Sequence, residues 1–186
     1  MRCGKTTGNA RALAAVARGA LLAAVLAGCA DFPRPGASPE VQTFLLSPRQ
    51  ASAPAAAGNG PVLVVSPPQA QPGYDTPRMV YTKRAHELEY FARSQWADLP
   101  TAMLGPVLVN ALSASGRFRA VIAGPTSVSG ELKLDIQIVS LQQEFNLTPS
   151  RVRVSLRAQL VDLDNRNVLA TRTFERLQAA PSEDPY

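Results

Sequence analysis

"ELKLDIQIVSL", residues 131–141, alternates apolar and polar side chains: Leu132, Leu134, Ile136 and Ile138 face one way, Lys133, Asp135 and Gln137 the other. Successive side chains of an extended chain project to opposite faces, so this period of two describes a strand with one buried and one wetted face. Ten residues on, "RVRVSLRAQLVDL" (151–163) repeats the pattern with Val152, Val154, Leu156, Ala158 and Leu160. "DNRN" (Asp164 to Asn167) has the composition of a turn, and "VLATRTFERL" (168–177) that of a final strand. One-sided alternation with short connections predicts a mostly antiparallel sheet with a helix packed on one face. The fold class is α+β.

Upstream of the sheet lies the covering helix. Met103, Leu104, Val107, Leu108, Ala111 and Leu112 form an apolar stripe at helical spacing. Asp98 is placed to cap it, Pro100 sits where a first-turn proline is tolerated, and Gly116 ends it as a left-handed cap. Pro106 falls inside the stripe, which predicts a kink or a later start. "RFRAVI" (117–122) is a short strand after the helix.

Before the helix comes the densest aromatic stretch of an aromatic-poor chain, "GYDTPRMVYTKRAHELEYFARSQWADLP" (73–100). "RMVYT" and "HELEYFA" are β-compatible runs either side of "KRA", and Leu88, Tyr90 and Ala92 alternate with Glu87, Glu89 and Phe91. The stretch reads as a hairpin. Further upstream, "VQTFLLSP" (41–48) and "PVLVVSP" (61–67) are short strands separated by the loop "RQASAPAAAGNG".

The first 28 residues belong to export. Arg2, Lys5, Arg11 and Arg18 form a positive leader without an acidic residue, and the uncharged run "GALLAAVLAG" (19–28) follows. That run is well short of the roughly 20 apolar residues of a membrane span, and a basic leader plus a short apolar run reads as a secretory signal. It ends in "LAGC" (26–29), similar to the lipobox of bacterial lipoproteins, in which the cysteine is alkylated with diacylglycerol and its new amino terminus acylated. Cys29 is the lipidation site, and several acyl chains on one residue give stable anchoring. "ADFPRPGASPE" (30–40) is a Pro-rich tether. The domain organisation is therefore signal 1–28, tether 29–40 and folded domain 41–180.

Removing the signal neutralises the chain. The whole sequence has 19 Lys and Arg against 14 Asp and Glu, but four of the cations and none of the anions lie in the signal. The basic balance belongs to export, so it does not imply nucleic acid. Cys3 also leaves, so Cys29 has no intrachain partner and there is no disulfide framework. The mature chain has a single His, His86, and no HExxH, CxxC, EF-hand or GxSxG pattern. Neither a metal site nor an enzyme is expected, and no cofactor beyond the lipid on Cys29.

"FLLSP" (44–48), "MVYTKRAHELEYFARSQWADLP" (79–100), "LSASGRFRAV" (112–121) and "LKLDIQIVSLQQEF" (132–145), in this order behind a lipobox, resemble the auxiliary lipoproteins of ABC-type intermembrane transport systems, the PqiC-like family. The resemblance covers roughly Phe44 to Phe174. It implies a small domain similar to the amino-terminal domain of TolB. It also implies a periplasmic partner of the mammalian-cell-entry (MCE, MlaD-like) type and a place on the outer membrane, with Ala30 after the lipidated cysteine as the sorting residue. Family members continue past the last strand into a closing amphipathic helix, whereas this sequence stops at the polar "QAAPSEDPY" (178–186). An uncovered apolar face favours homo-oligomers.

Two readings of the aromatic hairpin stand side by side. Tyr90 and Trp96 are core anchors where hairpin meets helix. Tyr74, Tyr81 and Phe91 are candidates for a partner interface or, less directly, lipid contact. A stacking platform for single-stranded nucleic acid needs a basic groove, which Glu87, Glu89 and Asp98 oppose. On function, the alternative to a transport component is a free-standing envelope or cell-wall-binding lipoprotein.

Overall fold

The computed structural model describes residues 40–46, 58–146 and 148–180, all within one compact unit, Glu40–Tyr186. Residues 1–39, which hold the expected signal, Cys29, Ala30 and all but the last residue of the tether, and the residues beyond Ala180 lie outside the described residues. In chain order the elements are β1 (Gln42–Phe44), β2 (Val62–Val65), β3 (Gln69–Ala70), β4 (Arg78–Thr82), β5 (Glu89–Trp96), α1 (Pro100–Ala114), β6 (Ala120–Ala123), β7 (Leu132–Glu144), β8 (Arg151–Asp162) and β9 (Asn167–Ala179).

The alternating stretch of the sequence becomes the spine. One edge of β7 pairs antiparallel with β8 from Leu132↔Asp162 to Glu144↔Arg151, and β8 pairs antiparallel with β9. The other edge of β7 is shared, end to end, by β2 at Leu132–Leu134, β3 at Gln137–Ile138 and β4 at Gln142–Glu144. These three run parallel to β7, as does β6 to β2 and β1 to β5. The mostly antiparallel sheet therefore holds for the long ladders and the β4/β5 hairpin, and the sheet as a whole is mixed. Alternation reports which face is buried and carries no information on direction. Direction follows from the connections, and the longer ones return the chain in parallel.

Two bulges re-aim the long strands. Ile138 faces Leu156 but Ser140 faces Ser155, so Val139 is an extra residue in β7; likewise Leu160 faces Ala170 and Val161 faces Val168, which leaves Leu169 extra in β9. An extra residue kinks the strand and exchanges its faces. Beyond Val139 it is Leu141 and Gln143, opposite Val154 and Val152, that continue the side of Ile136 and Ile138.

The core lies on β2, β4 and the middle of β7. Leu63 (1% exposed), Val65, Met79, Val80, Ile136 and Ile138 (2%) are buried, with Tyr74 packed on Val80 and Ile138. Leu132 and Leu134, expected to share the buried face, are only half-buried. Every residue of β9 is exposed, including Phe174 at 57%.

α1 lies against β6 and β2, and Leu104 reaches the Tyr74–Val80–Ile138 cluster. The other stripe residues are half-buried, except Ala111, which is exposed. The expected Asp98 cap moves by one: Leu99 is the N-cap without a side-chain cap, Pro100 opens the helix, and Asp98 Oδ1 accepts from the Leu99 amide at 2.7 Å. The helix runs unbroken through Pro106, so the later start is not taken. Gly116 ends it with φ +64°, a conformation that costs glycine little.

Gly60 lies under the segment that follows α1. A Cβ there would overlap the Arg117 carbonyl, where Arg119 donates its amide to the Gly60 and Pro61 carbonyls at 3.3 and 3.2 Å. Neither backbone can yield freely. Gly60→Ala is expected to cost about 1–3 kcal/mol, read as a lower denaturant midpoint with unchanged slope. An unshifted midpoint would show that this crossing gives way easily.

Candidate interaction site on the hairpin

The β4–β5 hairpin is irregular where it matters. Val80 pairs with Tyr90, yet Arg78 pairs with Gln95, so β5 advances five residues while β4 recedes two. The intervening stretch bulges from the ladder and then joins β1, where Phe44 sits opposite Trp96. The Trp96 amide donates to Pro77 O at 2.7 Å, which ties the end of β5 back to the start of β4. Strict alternation fails here for this reason: Leu88 and Ala92 are exposed, while Ser94 and Trp96 are buried.

Tyr81 and Phe91 come together, with ring centroids 4.7 Å apart. Phe145, from the end of β7, closes the group edge-on to Tyr81 at 5.7 Å and tilted against Phe91 at 6.3 Å. The Tyr81 hydroxyl donates to Glu89 Oε2 at 2.6 Å, and Lys83 Nζ reaches the same oxygen at 3.3 Å. That bond to Glu89 pushes the Tyr81 hydroxyl above its usual range, and in return holds the Glu89 carboxyl below its own. Tyr81 and Phe91 are half-buried and keep part of their surface open. Tyr90 is half-buried too, packs against the core, and carries the Arg78 guanidinium 3.8 Å above its ring.

Tyr74 is placed differently. It is buried at 9% exposure and its hydroxyl donates to Gln142, so it belongs to the core and offers little surface to a partner. Burial pushes that hydroxyl above its usual range. Gln142 Nε2 continues to Glu144 Oε1 at 3.2 Å, Arg153 Nε donates to the same oxygen at 2.5 Å, and Arg153 also bridges Glu175 on β9. The Arg153 hydrogen bond holds the buried Glu144 carboxyl below the ordinary range. This chain of polar groups ties the β2–β4 side of β7 to β8 and β9.

Trp96, at 9% exposure, packs at the wall of a hollow of about 440 Å³. Met79, Phe91, Trp96, Leu141, Val152 and Val154 supply its apolar lining and Gln142, Gln143, Arg176 and Gln178 its polar lining, with Arg176 across from Val154 and Gln178 across from Val152. Arg176 forms no ion pair among the described residues. The sequence named Val152 and Val154 only as strand residues and gave no signal for Met79 and Arg176, which meet them in the hollow through register rather than spacing, or for Phe145, which joins Tyr81 and Phe91. Among the described residues no three His, Cys, Asp or Glu side chains gather as a metal site, and no helix is long and apolar enough to cross a membrane.

Over the described residues these features define a strand-rich domain with one helix, an aromatic hairpin and no clustered metal ligands. Residues 44–185 match the ABC-type transport auxiliary lipoprotein component family, and the chain belongs to that family. Among solved structures it is similar to protein XCC0632 from Xanthomonas campestris, at 25% identity and a TM-score of 0.68, over 77% of this chain and 81% of that one. An uncharacterized protein follows at 13% identity and 0.59, over 77% and 83%. The dodecameric PelC of Paraburkholderia phytofirmans lies further off, at 14% identity and 0.42, over 70% and 81%. No curated protein matches.

Truncating a buried tryptophan typically costs about 3–5 kcal/mol, so Trp96→Ala should lower the melting temperature and the soluble yield. A variant as stable as the parent but unable to bind its partner would move Trp96 to the interface. Glu144 supplies an acid dependence. Its folded carboxyl is depressed, so its stabilisation is full above the ordinary glutamate pKa of ~4.3 and is lost as pH falls through the lower folded value. Glu144→Gln should be about 1–3 kcal/mol less stable at neutral pH and lose stability less steeply on acidification. Parallel acid curves for parent and variant would contradict this.

Proposed function

We propose that the protein is the lipid-anchored auxiliary component of an MCE/MlaD-type ABC system for intermembrane lipid transport. In this reading Cys29 carries the acyl chains, the tether spans from the membrane surface, and the domain docks the periplasmic conduit to the outer membrane. The observation that carries it is the family match over residues 44–185 behind the Leu26–Cys29 lipobox. Ala30 after the cysteine favours the outer membrane, because an acidic residue at that position is what retains lipoproteins at the inner one. The open sides of Tyr81 and Phe91 are the partner-facing surface in this reading, since rigid aromatics supply large contact area at low entropic cost.

Two measurements test it. Cys29→Ala should release the protein from the membrane fraction; continued fractionation with membranes would mean that something other than the lipid holds it. The chain from Ala30 onward should co-purify with the cognate MCE protein of that system, and Phe91→Ala should weaken that complex about tenfold with little change in melting temperature. Failure of the parent chain to bind, with normal envelope permeability in a deletion strain, would leave a free-standing envelope or cell-wall lipoprotein.

A further inference from the structure

We propose that the hollow between the hairpin and the β7–β8 ladder binds a single-chain fatty carboxylate, its alkyl chain on Leu141, Val152 and Val154 and its carboxylate on Arg176. The chemistry of the walls selects this ligand class. Met79, Phe91, Trp96, Leu141, Val152 and Val154 give an apolar lining, and the two amides that also line it are engaged within the fold, Gln142 by Tyr74 and Glu144 and Gln143 by Ser150. Arg176 and Gln178, across from Val154 and Val152 on β9, are the other polar groups of the lining. An apolar hollow with a few convergent polar groups is the usual form of a small-molecule site.

Size and charge narrow the occupant. At ~30 Å³ per water, the 440 Å³ holds the volume of roughly 15 water molecules, comparable to one alkyl chain of that many carbons and too little for two. Arg176 stands on β9, and its neighbour Glu175 is engaged by Arg153. The Arg176 guanidinium thus has its donors free of any ion pair among the described residues, and its planar fork suits a carboxylate. A neutral chain would leave the guanidinium unused.

Trp96 is the only tryptophan of the chain and stands in the wall, so it reports occupancy directly. Titrating the lipid-free chain from Ala30 to Tyr186 with palmitate, below its aggregation threshold, should give a saturable change in tryptophan emission. Each shortening by two carbons should weaken binding about tenfold. Arg176→Ala, at an exposed position, should weaken palmitate about tenfold while leaving methyl palmitate unchanged. Val154→Phe, which fills the floor, should abolish the response, with the melting curve confirming the fold.

No saturable change, or affinity independent of chain length, would overturn the site. Equal binding of palmitate and its methyl ester would overturn the role of Arg176. Palmitoyl lysophosphatidate binding tenfold more tightly than palmitate would assign Arg176 to phosphate and overturn the carboxylate. The hollow shares Phe91 with the proposed docking surface, but the two readings are tested apart. Palmitate binding without an MCE complex removes the transport reading alone, and an MCE complex without palmitate binding removes this one alone.

Discussion

The constraint on which everything else rests is the pairing of β7. This one strand satisfies its outer edge along β8 and its inner edge through three separate strands laid end to end. Backbone groups buried in the middle of a sheet must find partners. Without β7, neither β2, β3 nor β4 would have a neighbour to share, and the hairpin would have nothing to stand on. The core sits on its middle turns, where Ile136 and Ile138 are covered from the β2 and β4 side.

Length creates the problem that the bulges solve. A regular strand of 13 residues presents a single face from end to end, but this sheet packs its helix at one end and its hairpin at the other. Val139 exchanges the faces of β7 part way along. Beyond it, Leu141 lies on the side of Val152 and Val154 while Gln142 and Glu144 turn to Tyr74 and Arg153. The same insertion therefore separates an apolar floor from a polar chain that ties Tyr74, in the segment between β3 and β4, to β7, β8 and β9. A buried carboxylate with one partner would be costly; Glu144 has Arg153 and Gln142, and Arg153 continues to Glu175.

The aromatic hairpin serves both structure and surface, and the division falls along residues. Trp96 and Tyr74 are buried and Tyr90 packs against the core, which makes them supports. Tyr81, Phe91 and Phe145 hold one another at 4.7 to 6.3 Å and leave part of their area open. A rigid aromatic group with an open side, beside an apolar hollow, is suited to contact a partner or ligand without first paying to order itself.

The sequence by itself determined the long strands, the helix with Pro100 at its start and Gly116 at its end, and the hairpin. Each of these is written in local chemistry: a period of two, a period of 3.6, a proline, a glycine free to take positive φ. The order of four segments behind the lipobox was enough to indicate the family that residues 44–185 then matched. Only the tertiary structure decided which strands run parallel, that Tyr74 is core, and that Phe145 joins Tyr81 and Phe91. It alone brought Met79, Val154 and Arg176 to one hollow. Those facts depend on register across strands far apart in the chain and on single inserted residues such as Val139 and Leu169. A side-chain alternation read along one strand says nothing of what lies across from it.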